Sequence, residues 1–492
     1  MQEFARGGKG PKQASCFTRE GCCSANHTPP NVPNGLIGGD GRQIARHTFS
    51  QGISGAAAPQ GGKMSQSESN KAWQARREAA VVNGVGTLLP VFIDRAQNAE
   101  LWDVEGNRYI DFASGIAVLN TGHNHPKVVA AVRDQLEKFS HTCFQVTPYP
   151  GYIELAEKLN ALVPGPTPKR TLFLSTGAEA VENAIKIARA HTGRSGTIAF
   201  KGGFHGRTMM GMALTGKVVP YKTGFGPFPG EVYHIPFPAD YLGVSEEDAM
   251  HALELCFSAD IEPSRVAAII IEPVQGEGGF YPASPSFMQK LRSVCDQHGI
   301  LLICDEIQSG FCRTGKTFAT EYAGIEPDIM TLAKSLAGGF PLSAVVGKAE
   351  IMNAAKPGGL GGTYAGSPIA CAAALAVLQV IEEEQLNQKA LAQGEQIKVT
   401  LERIAERFDC IGQIRGPGAM VAMELVKQRD AHQPDPDLTK RLVAEAGKRG
   451  LILLSCGVRA NVIRFLAPLT APAAVIDEGL QLLEKSLEAA LA

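Results

Sequence analysis

No apolar run in this 492-residue sequence approaches the roughly 18 residues that cross a bilayer. The nearest, the Ala-rich "IACAAALAVL" at 369–378, is too short and suits a buried helix. No membrane association is expected. Charge of one sign is also scarce: the formal net charge is −2, with no long block of like residues. Neither nucleic acid nor an anionic membrane surface is therefore an expected partner. The eleven cysteines include no CxxC pair and no metal-ligand rhythm, so no metal site is expected. Cys304 in "GILLICDE" and Cys371 in "IACAAALAVL" lie in apolar runs, where a free Cys behaves as a small hydrophobe. That usage points to a reducing compartment and a cytoplasmic protein. No internal repeat is present.

What remains is an ordinary globular balance, 44% hydrophobic and 20% charged, over a length that suggests two or three domains. Residues 1–63 stand apart. They are rich in Gly, Pro, Ser and Asn and have no sustained apolar face, a composition that does not order itself. They also lack the apolar central segment of a secretory signal. A disordered tail, upstream sequence preceding a true start at Met64, and an organelle-targeting segment are the readings that stay open.

From Met64 the texture is globular. Short strands and a turn in "LWDVEGNRYIDFASGIAVLNTGHNHP" precede a helix in "HPKVVAAVRDQLEKF", where Val128, Val129, Val132 and Leu136 have helical spacing. Between about 170 and 350, the runs "TLFLS", "TIAF", "VAAIIIE", "GILLICD", "DIMTLAK" and "SAVVG" alternate with helical stretches. Continuously apolar runs of this length read as strands buried on both faces of a parallel sheet. Past about 380 comes one long polar helix, "IEEEQLNQKALAQGEQIKVTLERIAERF", then short strands and an amphipathic helix. The expected fold is α/β, with a large domain over 123–381. A smaller α+β domain combines 64–122 with 382–492.

In open parallel sheets, ligands bind beyond the carboxyl ends of the strands. Three runs end there on residues with chemistry. "LFLSTGAEAVENAIKIARA" turns at Gly177 into a helix, leaving backbone N–H groups at Gly177 and Ala178 for an anion. "GILLICDEIQSG" ends on Asp305, a carboxylate that needs a cationic or hydrogen-bonded partner if buried. "DIMTLAK" ends on Lys334, which is either a strand-end side chain reaching solvent or a desolvated amine fit to act as nucleophile and proton carrier. Taken singly, each has a bland reading. Together they match a cofactor with a phosphate, a basic ring nitrogen and an aldehyde, which is pyridoxal 5'-phosphate.

The stretches "LLICDEIQSGFCRTGK" and "PDIMTLAKSLAGGFP" resemble the signature of the class III (subgroup II) pyridoxal-phosphate aminotransferases. "GIAVLNTGHNHPKVVAAV", "SHTCFQV", "IIIEPVQGEGGFY", "GGLGGTYAGSPIACAAAL" and "LILLSCG" resemble the bacterial 4-aminobutyrate aminotransferases among them. The resemblance runs from about Met64 to the C-terminus and leaves out 1–63.

It implies a fold-type I enzyme in which Lys334 joins the cofactor aldehyde and then moves the substrate proton. Asp305 would pair with the pyridine nitrogen, Gln308 with the ring hydroxyl, and Gly177 and Ala178 with the phosphate. The family pattern often has serine where this chain has Ala178. Phe204 is the implied aromatic plate, with His205 beside it. Thr363 would reach the phosphate of the neighbouring subunit, which implies a homodimer, or a dimer of dimers, with shared active sites. Arg207 would bind the carboxylate of 4-aminobutyrate and the distal carboxylate of 2-oxoglutarate, and Arg464 the α-carboxylate of the keto acid. Glu277 would neutralise Arg464 when an ω-amino acid is bound. Ile116 matches an apolar wall, and Gln145 a pocket neighbour. "CGVRANVIR" departs from the pattern by adding a charge, Arg459, near Arg464.

The implied reaction is a ping-pong transfer of the amino group of 4-aminobutyrate to 2-oxoglutarate through pyridoxamine phosphate, giving succinate semialdehyde and glutamate. Its rivals are 5-aminovalerate, β-alanine or an acylated ornithine as small-molecule amine donor. An aminomutase or decarboxylase would not need the Arg464–Glu277 pair. A non-enzymatic regulator should carry a DNA-binding module, and 1–63 shows neither a basic helix nor a helix-turn-helix.

Overall fold

Seven short strands build the central sheet of the computed structural model, which describes residues 68–492; the extension read at 1–63 lies outside them. They are β1 (Lys169–Leu174), β2 (Gly196–Phe200), β3 (Val232–Ile235), β4 (Val266–Ile271), β5 (Leu301–Asp305), β6 (Ile329–Leu332) and β7 (Ser343–Lys348), in the spatial order β1-β7-β6-β5-β4-β2-β3. The pairings β6·β5, β5·β4, β4·β2 and β2·β3 are parallel. β7 runs antiparallel to both its neighbours. The "SAVVG" run is therefore the exception to the expected parallel sheet: it follows β6 directly and turns back beside it, with no crossover helix between.

Both faces of the sheet are covered, which is why its strands are apolar without alternation. Every residue of β4 and β5 is buried. Ala268, Ile270 and Ile303 pack with Val181, Ala184, Ile185 and Ala188 of helix Gly177–Thr192. Ile269, Ile271, Leu302 and Cys304 pack on the other side with Leu253, Phe287 and Leu291. Each Ile or Leu so buried contributes about 1.5–3 kcal/mol. The helix expected in "HPKVVAAVRDQLEKF" spans Pro126–Lys138, and the Ala-rich run forms the core of helix Pro368–Glu383.

Apart from the two-stranded pairing of Val274–Gln275 with Tyr281–Pro282, the remaining strands form two smaller sheets. Val421–Lys427 pairs with Ile411–Arg415 and Val462–Phe465, and Val462–Phe465 pairs in turn with Leu454–Cys456. A second sheet joins Ile93–Gln97, Glu100–Asp103 and Arg108–Asp111 to Leu451–Ile452, so the two ends of the described chain share one sheet. Ile110 and Phe112 pack in the same core as Leu401, Leu442, Phe465 and Leu483.

One expectation fails. The polar run from Ile381 is not a single helix: helix Pro368–Glu383 ends and helix Leu386–Arg407 begins afresh. Gln385 between them has φ 52° and ψ 50°, a left-handed conformation that no right-handed helix contains.

Candidate active site

Asp305 is the last residue of β5 and pairs in register with Thr331 of β6, three residues before Lys334. Lys334 opens a short 3-10 turn, Lys334–Ala337, at φ 47°. A lysine at positive φ is uncommon, and such strain gathers at functional sites. Its half-buried amine has no hydrogen-bond or ion-pair partner among the described residues. Burial pushes that amine down from 10.5 to about 8; Arg464 adds to the shift, while Glu277, Glu272 and Asp305 oppose it. The Gly-Gly turn that follows serves packing: a Cβ on Gly338 (φ 57°) would meet Val377 of helix Pro368–Glu383 at 3.0 Å.

Asp305 finds its partner within the chain. Its Oδ2 lies 2.7 Å from Nδ1 of the buried His205, and its Oδ1 accepts from the N–H of Ile307 at 3.2 Å. Burial works against a charged His205, but the Asp305 bond and the Glu272 charge prevail and raise its pKa. His205 thus touches Asp305, which places it one residue behind the group that the sequence reading gave to the cofactor. Gln308 is buried, and its Oε1 has no partner among the described residues. The turn bearing it is fixed by Glu306, which accepts from the Ser309 and Thr320 hydroxyls at 2.5 and 2.7 Å.

Glu272 was missed. It follows β4 as Asp305 ends β5, and the apolar run "VAAIII" before it carried the same signal. Its buried carboxyl accepts from the N–H of Phe204 at 2.7 Å and the N–H of Gly276 at 2.9 Å. It therefore joins the aromatic plate to the segment that bears Glu277. Burial pushes it up to about 7; His205 and its two backbone donors pull it down, and Asp305 pushes it further up.

Helix Gly177–Thr192 is capped by a reciprocal pair: the Thr176 side chain accepts from the Glu179 N–H, and Glu179 accepts from the N–H groups of Ser175 and Thr176. The N–H groups of Gly177 and Ala178 have no acceptor among the described residues, as an anion site requires. Gly206 (φ 114°) lets the Phe204–Arg207 turn approach this terminus, since a Cβ there would meet that of Ala178 at 2.7 Å.

The predicted carboxylate readers also converge. Buried Arg464 donates through Nη1 to Glu277 Oε1 at 2.5 Å, and its buried Nε is unpartnered among the described residues. Burial opposes charge on both groups, yet their attraction holds Glu277 low and Arg464 high. Arg207 is exposed, its guanidinium 5.4 Å from the ring centroid of Tyr221. Tyr221, also missed, packs 4.8 Å from Phe204 and donates to Glu277 Oε2 at 3.3 Å. Nothing in its loop sequence marked it. Arg459 does not compete with Arg464: it donates to Glu424 at 2.8 Å and to the Ala431 carbonyl at 2.6 Å.

Ile116 sits exposed on a turn in which Ser114, Gly115, Ile116 and Ala117 all have positive φ, 45–66°. Left-handed backbone costs about 1–2 kcal/mol per non-glycine residue. Compensation comes from Asp111, whose Oδ1 accepts from the N–H groups of Ala113 and Ser114 and whose Oδ2 lies 2.9 Å from His123 Nε2. At the far end, Ser335 Oγ donates to the Ala117 carbonyl at 2.7 Å.

Two predicted residues lie apart. Gln145 is exposed and donates to the Leu360 carbonyl at 2.9 Å; Thr363 is exposed on the same loop, next to Tyr364, which packs on His141. No hydrogen bond joins either to the Lys334 group among the described residues.

The family pattern described as aminotransferase class-III matches residues 81–487. The chain belongs to the class-III aminotransferases. This class-III aminotransferase is 58% identical to the 5-aminovalerate aminotransferase DavT of Pseudomonas aeruginosa, over 86% of this chain and 99% of that one. It is 57% identical to the 4-aminobutyrate aminotransferase GabT of Escherichia coli K12, with the same coverage. Among solved structures, an (S)-enantioselective ω-transaminase from Thermomicrobium roseum aligns with TM-score 0.79 and 31% identity, over 87% of this chain and all of that one. The ornithine aminotransferase of Toxoplasma gondii ME49 aligns with TM-score 0.75 and 31% identity, over 86% and 96%.

The enzyme depends on pyridoxal phosphate, and its residues fit that group. A helix terminus with free N–H groups, an orphaned Gln308 oxygen, a buried Asp305–His205 pair and an unpartnered amine supply complementary donors and acceptors. Among the described residues, no cluster of side chains could hold a metal ion and no helix is long and apolar enough to cross a membrane.

Proposed function

We propose that this aminotransferase passes the amino group of 4-aminobutyrate to 2-oxoglutarate, yielding succinate semialdehyde and glutamate. The observation that carries the reading is the Arg464–Glu277 ion pair, in a site that also lowers the Lys334 pKa. A 4-aminobutyrate molecule has one carboxylate, which Arg207 would take; Arg464 would otherwise be a buried, uncompensated cation, and Glu277 neutralises it. A 2-oxoglutarate molecule has two carboxylates. Its α-carboxylate would replace Glu277 on Arg464 through paired hydrogen bonds suited to a guanidinium.

Pyridoxal phosphate supplies the electron sink for charge at the substrate carbon. Lys334, with its amine near neutrality, holds the cofactor and carries the proton to and from that carbon. The Asp305 carboxylate would hold the ring nitrogen's proton, and His205 behind it fixes the carboxylate's orientation. Gln308 would address the ring hydroxyl, the Gly177 and Ala178 N–H groups would hold the phosphate, and Phe204 would pack against the ring. Thr363 and Gln145, on an exposed surface with Val146 and Tyr364, fit a site completed across a homodimer. We also propose the division of the chain into 64–122 with 382–492 and 123–381, which the shared sheet of Arg108–Asp111 and Leu451–Ile452 supports.

A second reading, 5-aminovalerate as donor, is favoured by the 58% identity to DavT. The two donors differ by one methylene, worth only about 1–3 kcal/mol of discrimination. Values of kcat/KM for 4-aminobutyrate, 5-aminovalerate, β-alanine and N-acetylornithine with 2-oxoglutarate decide the matter. The largest value is expected with 4-aminobutyrate. A clear preference for 5-aminovalerate would install the second reading, and one for N-acetylornithine would sink both.

A further inference from the structure

Tyr221 touches two of the groups proposed to choose the substrate, Arg207 and Glu277, together with the aromatic plate Phe204, and no family motif named it. Its ring lies beneath the Arg207 guanidinium and against Phe204. Its hydroxyl donates to Oε2 of Glu277, the oxygen that Arg464 leaves free. The backbone around Glu277 is anchored as well: its carbonyl accepts from the Gly457 N–H at 3.0 Å, and the Gly457 carbonyl accepts from Lys217 Nζ at 2.9 Å. The side chain of Glu277 is bonded, among the described residues, by Arg464 and Tyr221.

We propose that Tyr221 is a positioning residue that sets the balance between the two half-reactions, its hydroxyl holding Glu277 on Arg464 and its ring seating Arg207. The inference rests on the proposed exchange of a monocarboxylate amine for a dicarboxylate keto acid. A dicarboxylate binds only the state with Glu277 displaced, so its apparent affinity falls with the population of that state. Every bond that retains Glu277 therefore weakens the keto acid and favours the ω-amino acid. The phenol stays protonated, and so remains a donor: burial and then Glu277 push it up to about 12, against the opposing charges of Arg207 and Arg464.

The two halves of the residue separate by substitution in the cofactor-loaded enzyme. Tyr221→Phe keeps the ring and loses the donor. Its dissociation constant for glutarate, an unreactive dicarboxylate, should fall about two- to tenfold by calorimetry, the worth of one hydrogen bond. Its single-turnover kcat/KM with the ω-amino acid should not rise. Tyr221→Leu loses the donor and also the seat of Arg207, so relative to Tyr221→Phe it should weaken glutarate and slow the ω-amino acid together. A loss of fold would lower the binding stoichiometry and the kcat/KM without tightening glutarate, so tighter glutarate in Tyr221→Phe is the diagnostic. Unchanged or weaker glutarate binding in Tyr221→Phe overturns the inference. Arg464→Ala distinguishes the failures. If it weakens glutarate while Tyr221→Phe changes nothing, only the role of Tyr221 is lost; if it leaves glutarate unaffected, the exchange at Arg464 falls with it.

Discussion

Ser335 Oγ donates a 2.7 Å hydrogen bond to the carbonyl of Ala117, tying the turn that presents Lys334 to the left-handed turn that presents Ile116. The turns bearing the Lys334 amine and the proposed apolar wall are thus joined by one buried contact. A wall so fixed relative to the amine would measure the length of the donor.

Ser335→Ala should leave the Ala117 carbonyl without that donor and cost about 1–3 kcal/mol of stability. Selectivity between 4-aminobutyrate and 5-aminovalerate should narrow by about two- to fivefold, a fraction of what one methylene can supply. The kcat/KM ratio for the two donors, with a urea midpoint alongside, checks both effects. An unchanged ratio with lowered stability would confine Ser335 to a structural role.

The Lys334 amine should be half neutral at about pH 8, well below the ordinary 10.5, because burial penalises its charged form. Acylation of Lys334 in the cofactor-free protein, followed by peptide mass spectrometry, should show a midpoint near 8. Lys334→Ala should abolish the visible absorbance of the lysine-bound cofactor and lower kcat by about 10²- to 10⁴-fold. Retention of that absorbance would refute the assignment.

The Glu272 carboxyl should titrate near 7, raised from 4.5 mainly by burial. A protonated-carboxyl stretch in infrared difference spectra should be present below that pH, vanish above it, and be absent from Glu272→Gln. The folded value exceeds the unfolded one, so this group's contribution to stability is complete below about 4.5 and is lost as the pH rises through about 7. Glu272→Gln should flatten that part of the stability profile.

Ala178 donates its backbone N–H but has no hydroxyl to offer a phosphate. Ala178→Ser should tighten pyridoxal phosphate by about fivefold, near the 1 kcal/mol of a single hydrogen bond. A fluorescence titration of the cofactor-free protein measures it; an unchanged constant would leave the N–H groups as the sufficient ligands.

Lys334 and Asp305 stood out in the sequence because each interrupts an apolar run, and charge at the end of a buried strand requires a reason. Glu272 obeyed the same rule and was readable in principle. The sheet's strands were legible for a related cause: burial on both faces removes polar residues from the whole run. The reversed direction of β7 was not legible, because an antiparallel strand covered on both faces is as apolar as a parallel one. The break at Gln385 was hidden too, since a polar residue continues a helical pattern as readily as it ends one.

The sequence by itself determined the class and the cofactor, and it pointed to Lys334 as the proposed reactive amine, all written in contiguous stretches such as "DIMTLAK" and "GILLICDE". Only the tertiary structure decided who keeps company with whom. His205 meets Asp305, Tyr221 meets Glu277, Ser335 meets Ala117, and Arg459 is taken up by Glu424 away from Arg464. Local patterning reports a residue's burial and periodicity. It cannot report partners brought together by chain folding, and in this enzyme those partners surround the residues proposed to distinguish an amine donor from a keto acid.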